Sequence, residues 1–539
     1  MTGTGRVSRK WLALLVAFLL VLVVAAGMLA WRARHMDNFV RLWVIRSLSE
    51  RFQTRVELTT LRVTGFPHLG VTGEDLTIYF HNRSDVPPII HVDKFAFDLG
   101  LIALLRLPKH ISSAQIESMT ITIPPRGEKK SPSSGVSGGS GKTGNLLSSL
   151  IVDEVVCKNT VLITLPRKPD PGKPEKEPLE WEIHDLDLHS AGVDKAFQFH
   201  GTLTNAKPKG EISTSGDFGP WDADDPADSP VSGSYKFADA DLGPFPGIAG
   251  ILSSTGKFSG EIAELQVEGE TDTPDFSLDK IGKPVPLHTE FSATVDGTNG
   301  DTLLHPVRAT LVRSLFITEG SIIREPANKG HRIVLDVGAP NARIQDILSL
   351  AMKSDKPLLT GPAKLKAKLL LPPGNEKVLD KMILDGQIGI DDARWSSPEV
   401  REKLEALSRR AEGKPEDNDA GSAVSDLKGN FHMEKGVIRF SELTFSVPGA
   451  AIELAGTYKI VGGDLDFQGQ LRLQAKISQT VTGKKSFFLK FLDPFFEKNG
   501  AGAVLPISIT GTRENPTVGV SVFHKKIEKH PAETKPSPK

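Results

Sequence analysis

The stretch from residue 464 to residue 478 reads D-L-D-F-Q-G-Q-L-R-L-Q-A-K-I-S. Leu465, Phe467, Leu471, Leu473, Ala475 and Ile477 fall on one parity, interrupted only by Gly469. Asp464, Asp466, Gln468, Gln470, Arg472, Gln474 and Lys476 fall on the other. A period of two puts the first set on one face of a β-strand and the second on the opposite face. At ~3.3 Å per residue such a strand runs roughly 40 Å, longer than most strands in globular proteins. The chain repeats the pattern. Leu365, Ala367, Leu369 and Leu371 alternate with Lys364, Lys366 and Lys368, whose cationic face points to water. Leu287, Phe291, Ala293 and Val295 alternate before Asp296-Gly297, and Ile333, Leu335 and Val337 alternate again. The spacing predicts a mainly β chain. A long sheet with one apolar face must bury it against protein, or against something apolar that is not protein.

Helical patterns are few. Residues 36–52 carry Phe39, Val40, Trp43 and Leu48 among polar and basic residues, fitting a helix that lies at a membrane interface or caps a sheet end. Asn341 is placed to N-cap a short helix bearing Ile344, Ile347, Leu348 and Ala351. Ser397-Pro398 opens another, with Val400, Leu404, Leu407 and Ala411 as its stripe and Gly413 as its stop. Residues 486–496 read S-F-F-L-K-F-L-D-P-F-F and are expected to plug one end of the apolar face, the alternative being contact with a membrane or a partner.

The chain starts with a membrane signature. Trp11 to Trp31 spans 21 residues without a charge. As a helix at ~1.5 Å per residue it covers about 30 Å, the thickness of a bilayer's hydrocarbon core. Trp11 and Trp31 sit where indole rings prefer the headgroup layer. The run is longer than a signal-peptide core and ends in Trp31-Arg32-Ala33-Arg34 rather than a small-x-small cleavage site. Basic residues lie on both sides of it, so charge does not fix the orientation. The short head and long body fit an uncleaved signal anchor with the body exported.

Composition narrows the function. A chain of 539 residues is too long for one compact core. With 65 Lys and Arg against 66 Asp and Glu, the net charge of −1 exerts no pull on nucleic acid. Three tyrosines make a stacking platform for single strands improbable. The single cysteine, Cys157, forms no intrachain disulfide and leaves no Cys cluster for zinc. Its apolar neighbours mark a buried thiol rather than a nucleophile. The 14 histidines are scattered and no H-E-x-x-H occurs. Gly135-Val136-Ser137-Gly138-Gly139 has the spacing of a nucleophile elbow without the flanking strand and helix. Asp222, Asp224 and Asp225 lack the glycine and terminal Glu of a calcium loop and read as a solvated turn. The expectation is a non-enzymatic protein with no metal and no cofactor.

The order of several segments resembles a known family. Behind the anchor come Val56-Glu57-Leu58, Phe66-Pro67-His68-Leu69-Gly70 and Val92-Asp93-Lys94-Phe95-Ala96-Phe97-Asp98-Leu99. Leu104-Leu105-Arg106 and Ile116-Glu117-Ser118-Met119-Thr120-Ile121 follow. This is similar to the amino-terminal region of AsmA-like proteins. Gly436-Val437-Ile438-Arg439-Phe440, Val447-Pro448-Gly449-Ala450, Leu454-Ala455-Gly456-Thr457-Tyr458 and Gly463-Asp464-Leu465-Asp466-Phe467 resemble the carboxy-terminal module. The resemblance implies a bacterial inner-membrane anchor, a periplasmic body and an elongated antiparallel sheet curled into a taco-like open groove with an apolar floor. It also implies phospholipid acyl chains as the cargo and a role in outer-membrane lipid homeostasis.

The resulting division is an anchor at 1–35, an AsmA-like amino-terminal region at 36–125 and a Ser/Gly-rich linker at 126–145. A central β-rich region follows at 146–390, then an amphipathic helix and loop at 391–420. An AsmA-like carboxy-terminal region occupies 421–523 and a Lys/Pro tail 524–539. The expected groove floor is Leu365, Ala367, Leu369, Leu465, Phe467, Leu471, Leu473, Ala475 and Ile477. Two alternatives stay open from the residues alone. The same positions form ordinary core if two sheets close as a sandwich. Exposed strand edges would instead suit a scaffold or assembly factor for outer-membrane proteins, with envelope proteins as partners.

Overall fold

The computed structural model describes residues 37–520 apart from 51, 53, 65–67, 81–85, 101–108, 126–149, 167–175, 192–194, 207, 223, 279–281, 326–329, 353–355, 417–424, 483–492 and 494–501. The anchor segment 11–31 lies outside the described residues, as do Leu104-Leu105-Arg106 and most of the phenylalanine-rich stretch. Among the described residues no helix is long and apolar enough to cross a membrane. The protein is mainly β, 66% strand, with antiparallel pairing and few helices.

The chain separates into two units. One holds residues up to Ala240 with Ser253–Gly269 and Ser292–Thr302, and the other holds Asp241–Leu252, Glu270–Phe291 and Leu303 onward. In the first unit, helix α1 (37–50) precedes β1 (Val56–Thr64), β2 (His68–Ile78), β3 (Ile90–Gly100) and β4 (Lys109–Ile123). Then come β5 (Leu150–Thr164), β6 (Leu179–Ala191), β7 (Phe197–Ala206), β8 (Lys209–Phe218) and β9 (Pro230–Asp241). Next in sequence are β10 (Ile248–Ala249), β11 (Ile251–Glu261), β12 (Glu264–Leu278), β13 (Val285–Val295) and β14 (Thr302–Leu311). The division falls within β9, β11, β12, β13 and β14, so each gives residues to both units.

The second unit continues with β15 (Ser314–Arg324), β16 (His331–Arg343), α2 (Ile344–Ala351), β17 (Leu359–Thr360), β18 (Pro362–Leu371), α3 (Val378–Lys381) and β19 (Ile383–Trp395). It ends with α4 (Pro398–Ala411), β20 (Ser425–Glu434), β21 (Val437–Val447), β22 (Ala450–Lys459), β23 (Asp464–Leu473), β24 (Ala503–Thr512) and β25 (Pro516–Val520).

In the second unit β15, β16 and β18 through β25 pair antiparallel, each with its successor in that series. The tight β20–β21 turn places Lys435 at φ 52° and Gly436 at φ 69°. Two successive left-handed residues give the hairpin twist that matches the strands, which is why a glycine stands there.

In the first unit β1 to β4 pair antiparallel, as do β5 to β8. β4 and β5 are parallel, from Lys109↔Leu150 to Ile123↔Thr164. This pair departs from the antiparallel order expected of the sheet, which the pairings on either side of it keep. A parallel pair needs a crossover of a dozen or more residues, and the Ser/Gly-rich stretch between Ile123 and Leu150 supplies that length.

A crease crosses these strands. The pairings step over Thr59 with Asp75, Asp93 with Ser118, and Asn159 with His184. Asp75, Ser118 and Asn159 have φ of 58°, 58° and 53°, the left-handed region that Asp and Asn tolerate better than most residues. Each strand slips by one residue at the same level, so the apolar set stays on one face on both sides of the crease.

The helices follow local chemistry. Ser397 caps α4, its Oγ accepting from the Val400 N–H at 3.4 Å, and Gly413 at φ 77° follows its end. α2 starts at Ile344 as its apolar positions predict. Asn341, however, belongs to β16, and the residue before α2 is Arg343, which makes no side-chain cap. The strand ladder claims Asn341 through its pairing with Leu315.

Candidate functional site

Cross-strand register lines the apolar residues up in rows. In the first unit Leu61, Gly73, Phe95, Ile116, Cys157, Leu186, Gly201 and Thr214 follow one another across β1 to β8. In the second, Val337, Ala367, Gly386, Phe431, Phe440, Gly456, Phe467 and Ile509 follow one another from β16 to β24, without β17. Neither row contains a charged residue. The opposite face carries cross-strand pairs such as Lys364–Asp391 at 3.1 Å, Arg472–Glu453 at 3.2 Å and His432–Asp385 at 2.6 Å.

Three glycines of the rows, Gly73, Gly386 and Gly456, sit under aromatic rings. A Cβ on Gly73 would lie 2.2 Å from Phe95 Cζ. One on Gly386 would lie 2.8 Å from Phe431 Cζ, and one on Gly456 2.8 Å from Phe467 Cδ1. Tyr235 lies over Gly256 in the same way within the first unit. Each ring occupies the space of the missing side chain on the next strand. It therefore lies along the sheet instead of standing off it. Phe431, Phe440 and Phe467 form a ladder with centroids 6.2 and 5.9 Å apart. Within each unit the result is a low apolar face.

In the second unit that face is covered at one set of strand ends. Ala342, Ala363, Ala393, Val447, Ala450, Leu473 and Ala503 are all buried there. Ile344, Ile347 and Leu348 of α2 pack against Ala339, Ala363 and Ile390. Leu404, Leu407 and Ala411 of α4 pack against the cluster of Val447, Ala450, Leu473 and Ala503. Ser408 Oγ donates to the Pro448 carbonyl at 2.8 Å, and the Ala475 N–H donates to the Ala411 carbonyl at 2.8 Å. Of the phenylalanine-rich stretch, Asp493 is described, and it is buried at this end. It accepts from Ser478 N–H at 2.9 Å and Ser478 Oγ at 2.7 Å.

At the opposite strand ends Ile333, Leu371, Leu384, Ile438, Tyr458 and Leu465 are only half-buried, although Met433 is covered. In the first unit α1 packs Val40 and Val44 against Leu58, Leu61, Val71 and Ile111.

The expected floor residues divide accordingly. Leu365, Ala367, Leu369, Leu465, Phe467, Leu471 and Leu473 share the apolar face. Ala475 and Ile477 do not extend it. β23 stops at Leu473, and Ile477 begins a 3-10 turn, Ile477–Thr480. Both are buried under α4 as core, because Gly413 and Ala411 approach that turn closely. Leu471 and Leu473 are themselves core beside the helix. The rows' glycines were not foreseen as functional, although Gly469 was visible as a gap in the alternation. A Cβ there would meet the Glu453 carbonyl oxygen at 1.8 Å.

The polar groups have local roles. Asp222 Oδ1 accepts from the N–H groups of Asp224 and Asp225 at 2.9 Å each, closing its own turn. Asp296 accepts from Thr298 and Asn299 in the same fashion. Among the described residues no group of His, Cys, Asp and Glu is arranged to hold a metal. A recess of about 560 Å³ in the first unit is lined by Arg62, Glu74, Lys94, Glu117 and Lys158, charges of both signs, together with Gly73, Phe95 and Ile116 of the row. Burial pushes the Cys157 thiol up to about 12, with the Asp187 carboxylate adding to it, so the thiolate a nucleophile needs is suppressed. No family model, no curated protein and no solved structure matches this chain.

Proposed function

We propose that the protein is a single-pass bacterial inner-membrane protein whose periplasmic body binds phospholipid acyl chains, in support of phospholipid transfer or outer-membrane lipid homeostasis. It is not an enzyme on this reading, and its kinship is with the AsmA-like proteins it resembles. The observation that carries the reading is the low, uncharged apolar face, roofed by helices at one set of strand ends and half-exposed at the other. Monomeric soluble proteins rarely leave a long apolar face in water. Acyl chains laid on it are stabilised by about 0.8 kcal/mol per buried CH₂. A half-exposed rim lets the headgroup stay hydrated while the chains are covered.

The test is photo-crosslinking in native membranes of the full-length chain. A photoreactive amino acid at Leu369 or Leu465 should yield adducts of lipid mass. The same group at Lys368 or Gln468, exposed on the opposite face, should yield none. Lipid adducts of equal yield on both faces, or adducts to protein alone, would sink the proposal. The second outcome would favour a scaffold.

A further inference from the structure

We propose that the outer face of α1 is a membrane foot, docking the first unit onto the phospholipid bilayer that holds the anchor. This inference rests on the anchor reading and goes beyond the lipid-binding face itself.

α1 has two apolar sides. Val40 and Val44 are buried against β1, β2 and β4. Phe39 and Leu42 point the other way, 66% and 65% exposed, the two most exposed large apolar residues among the described residues of the first unit. They are three residues apart and therefore share a helix face. Trp43 and Ile45, half-buried, border them. The exposed side changes character along the helix. Its first two turns present Phe39 and Leu42, and its last presents Arg46 and Glu50, an exposed pair at 2.8 Å. From Phe39 to Ile45 the helix rises about 9 Å, close to the depth of the headgroup layer on one side of a bilayer.

The chain order says what covers this side. The uncharged run ends at Trp31, and α1 begins at residue 37. Six residues span at most ~20 Å even when fully extended. A helix tethered that closely to a bilayer surface presents its apolar first turns within reach of the interface. Arg32 and Arg34 lie in the connecting segment and match an anionic headgroup layer. The rest of the helix is fixed to the sheet. Arg41 Nε and Nη2 donate to the Leu58 carbonyl at 2.9 and 2.7 Å, and the Val63 N–H donates to Asp37 Oδ1 at 2.9 Å. These bonds occupy backbone groups of β1 and clamp α1 to the strand. Seating α1 at the interface therefore seats β1.

The test uses the full-length chain with Cys157→Ala and a single cysteine at Phe39→Cys, Leu42→Cys or Glu50→Cys. Each carries an environment-sensitive fluorophore. The protein is reconstituted into vesicles of zwitterionic and anionic phospholipid bearing shallow nitroxide lipids. Quenching by the nitroxide should be several-fold stronger at positions 39 and 42 than at 50. Equal quenching at all three positions overturns the proposal. So does shielding at 39 and 42 from both nitroxide lipid and aqueous iodide, which would mean that another part of the chain or a second copy covers them. Failure of the chain to enter vesicles overturns it together with the anchor. Strong quenching at 39 and 42 without lipid adducts at Leu369 and Leu465 would leave the foot standing and remove the lipid-binding face.

Discussion

Gly73 has no side chain, and the ring of Phe95 fills its place. Gly73→Ala forces the ring up from the sheet, because the new Cβ lies 2.2 to 2.9 Å from three ring atoms and meets no other atom as closely. Overpacking of this kind costs about 1–3 kcal/mol. In a Phe95→Leu background the ring is gone and most of that cost should vanish. A double-mutant cycle by urea unfolding checks this, and two additive substitutions would show that the ring does not depend on the glycine. The inward parity was legible in the sequence at this scale. The crease was only half legible. The alternation through Val56 and Leu58 slips at Thr59 before resuming at Leu61 and Val63, yet these residues form one strand, β1. A parity slip looks the same in sequence whether the strand stops or bulges. Backbone pairing decides between them, and it comes from β2.

Elements were easiest to read where capping chemistry and apolar period agree. Ser397, Pro398, the leucine stripe and Gly413 all point to α4, and the helix runs from Pro398 to Ala411. The end of β23 was not readable, since Ala475 and Ile477 keep the alternation while the backbone leaves the sheet. Residues buried at every second position look alike in a strand and in an irregular turn packed under a helix. The distinction predicts different mutant behaviour along one strand. Leu471 lies in the core beside α4 and is 6% exposed, whereas Leu465 is half-buried at the uncovered end. Leu471→Asp should therefore destabilise the fold by on the order of 4 kcal/mol or more, as an unpaired carboxylate buried in an apolar cluster does. Leu465→Asp should cost about 1 kcal/mol and instead reduce copurified lipid. Urea midpoints with lipid mass spectrometry on the same preparations separate the two. Equal destabilisation would place Leu465 in closed core and argue for the sandwich.

At the scale of the whole chain, the sequence revealed the class of structure more readily than its purpose, and the reason is physical. A one-sided apolar period is the same whether a second sheet or a lipid covers it. What separates the cases is which ends the helices roof, and that depends on contacts between residues as distant as Ser408 and Pro448. The traced rows also bear on selectivity. Their members are apolar residues, glycines and a threonine, while the cations and carboxylates pair on the opposite face. Recognising a headgroup takes placed donors or a charge at the site, and an apolar floor offers neither. The bound phospholipids should accordingly mirror the headgroup composition of the membrane from which the protein is extracted. Their amount should also not fall when ionic strength is raised enough to screen exposed charge pairs. Mass spectrometry of lipids released from the full-length protein, against total lipid from the same membranes, measures both. Enrichment of a single headgroup class, or loss of lipid at high salt, would mean that polar residues at the rim govern binding and that the floor is only its passive support.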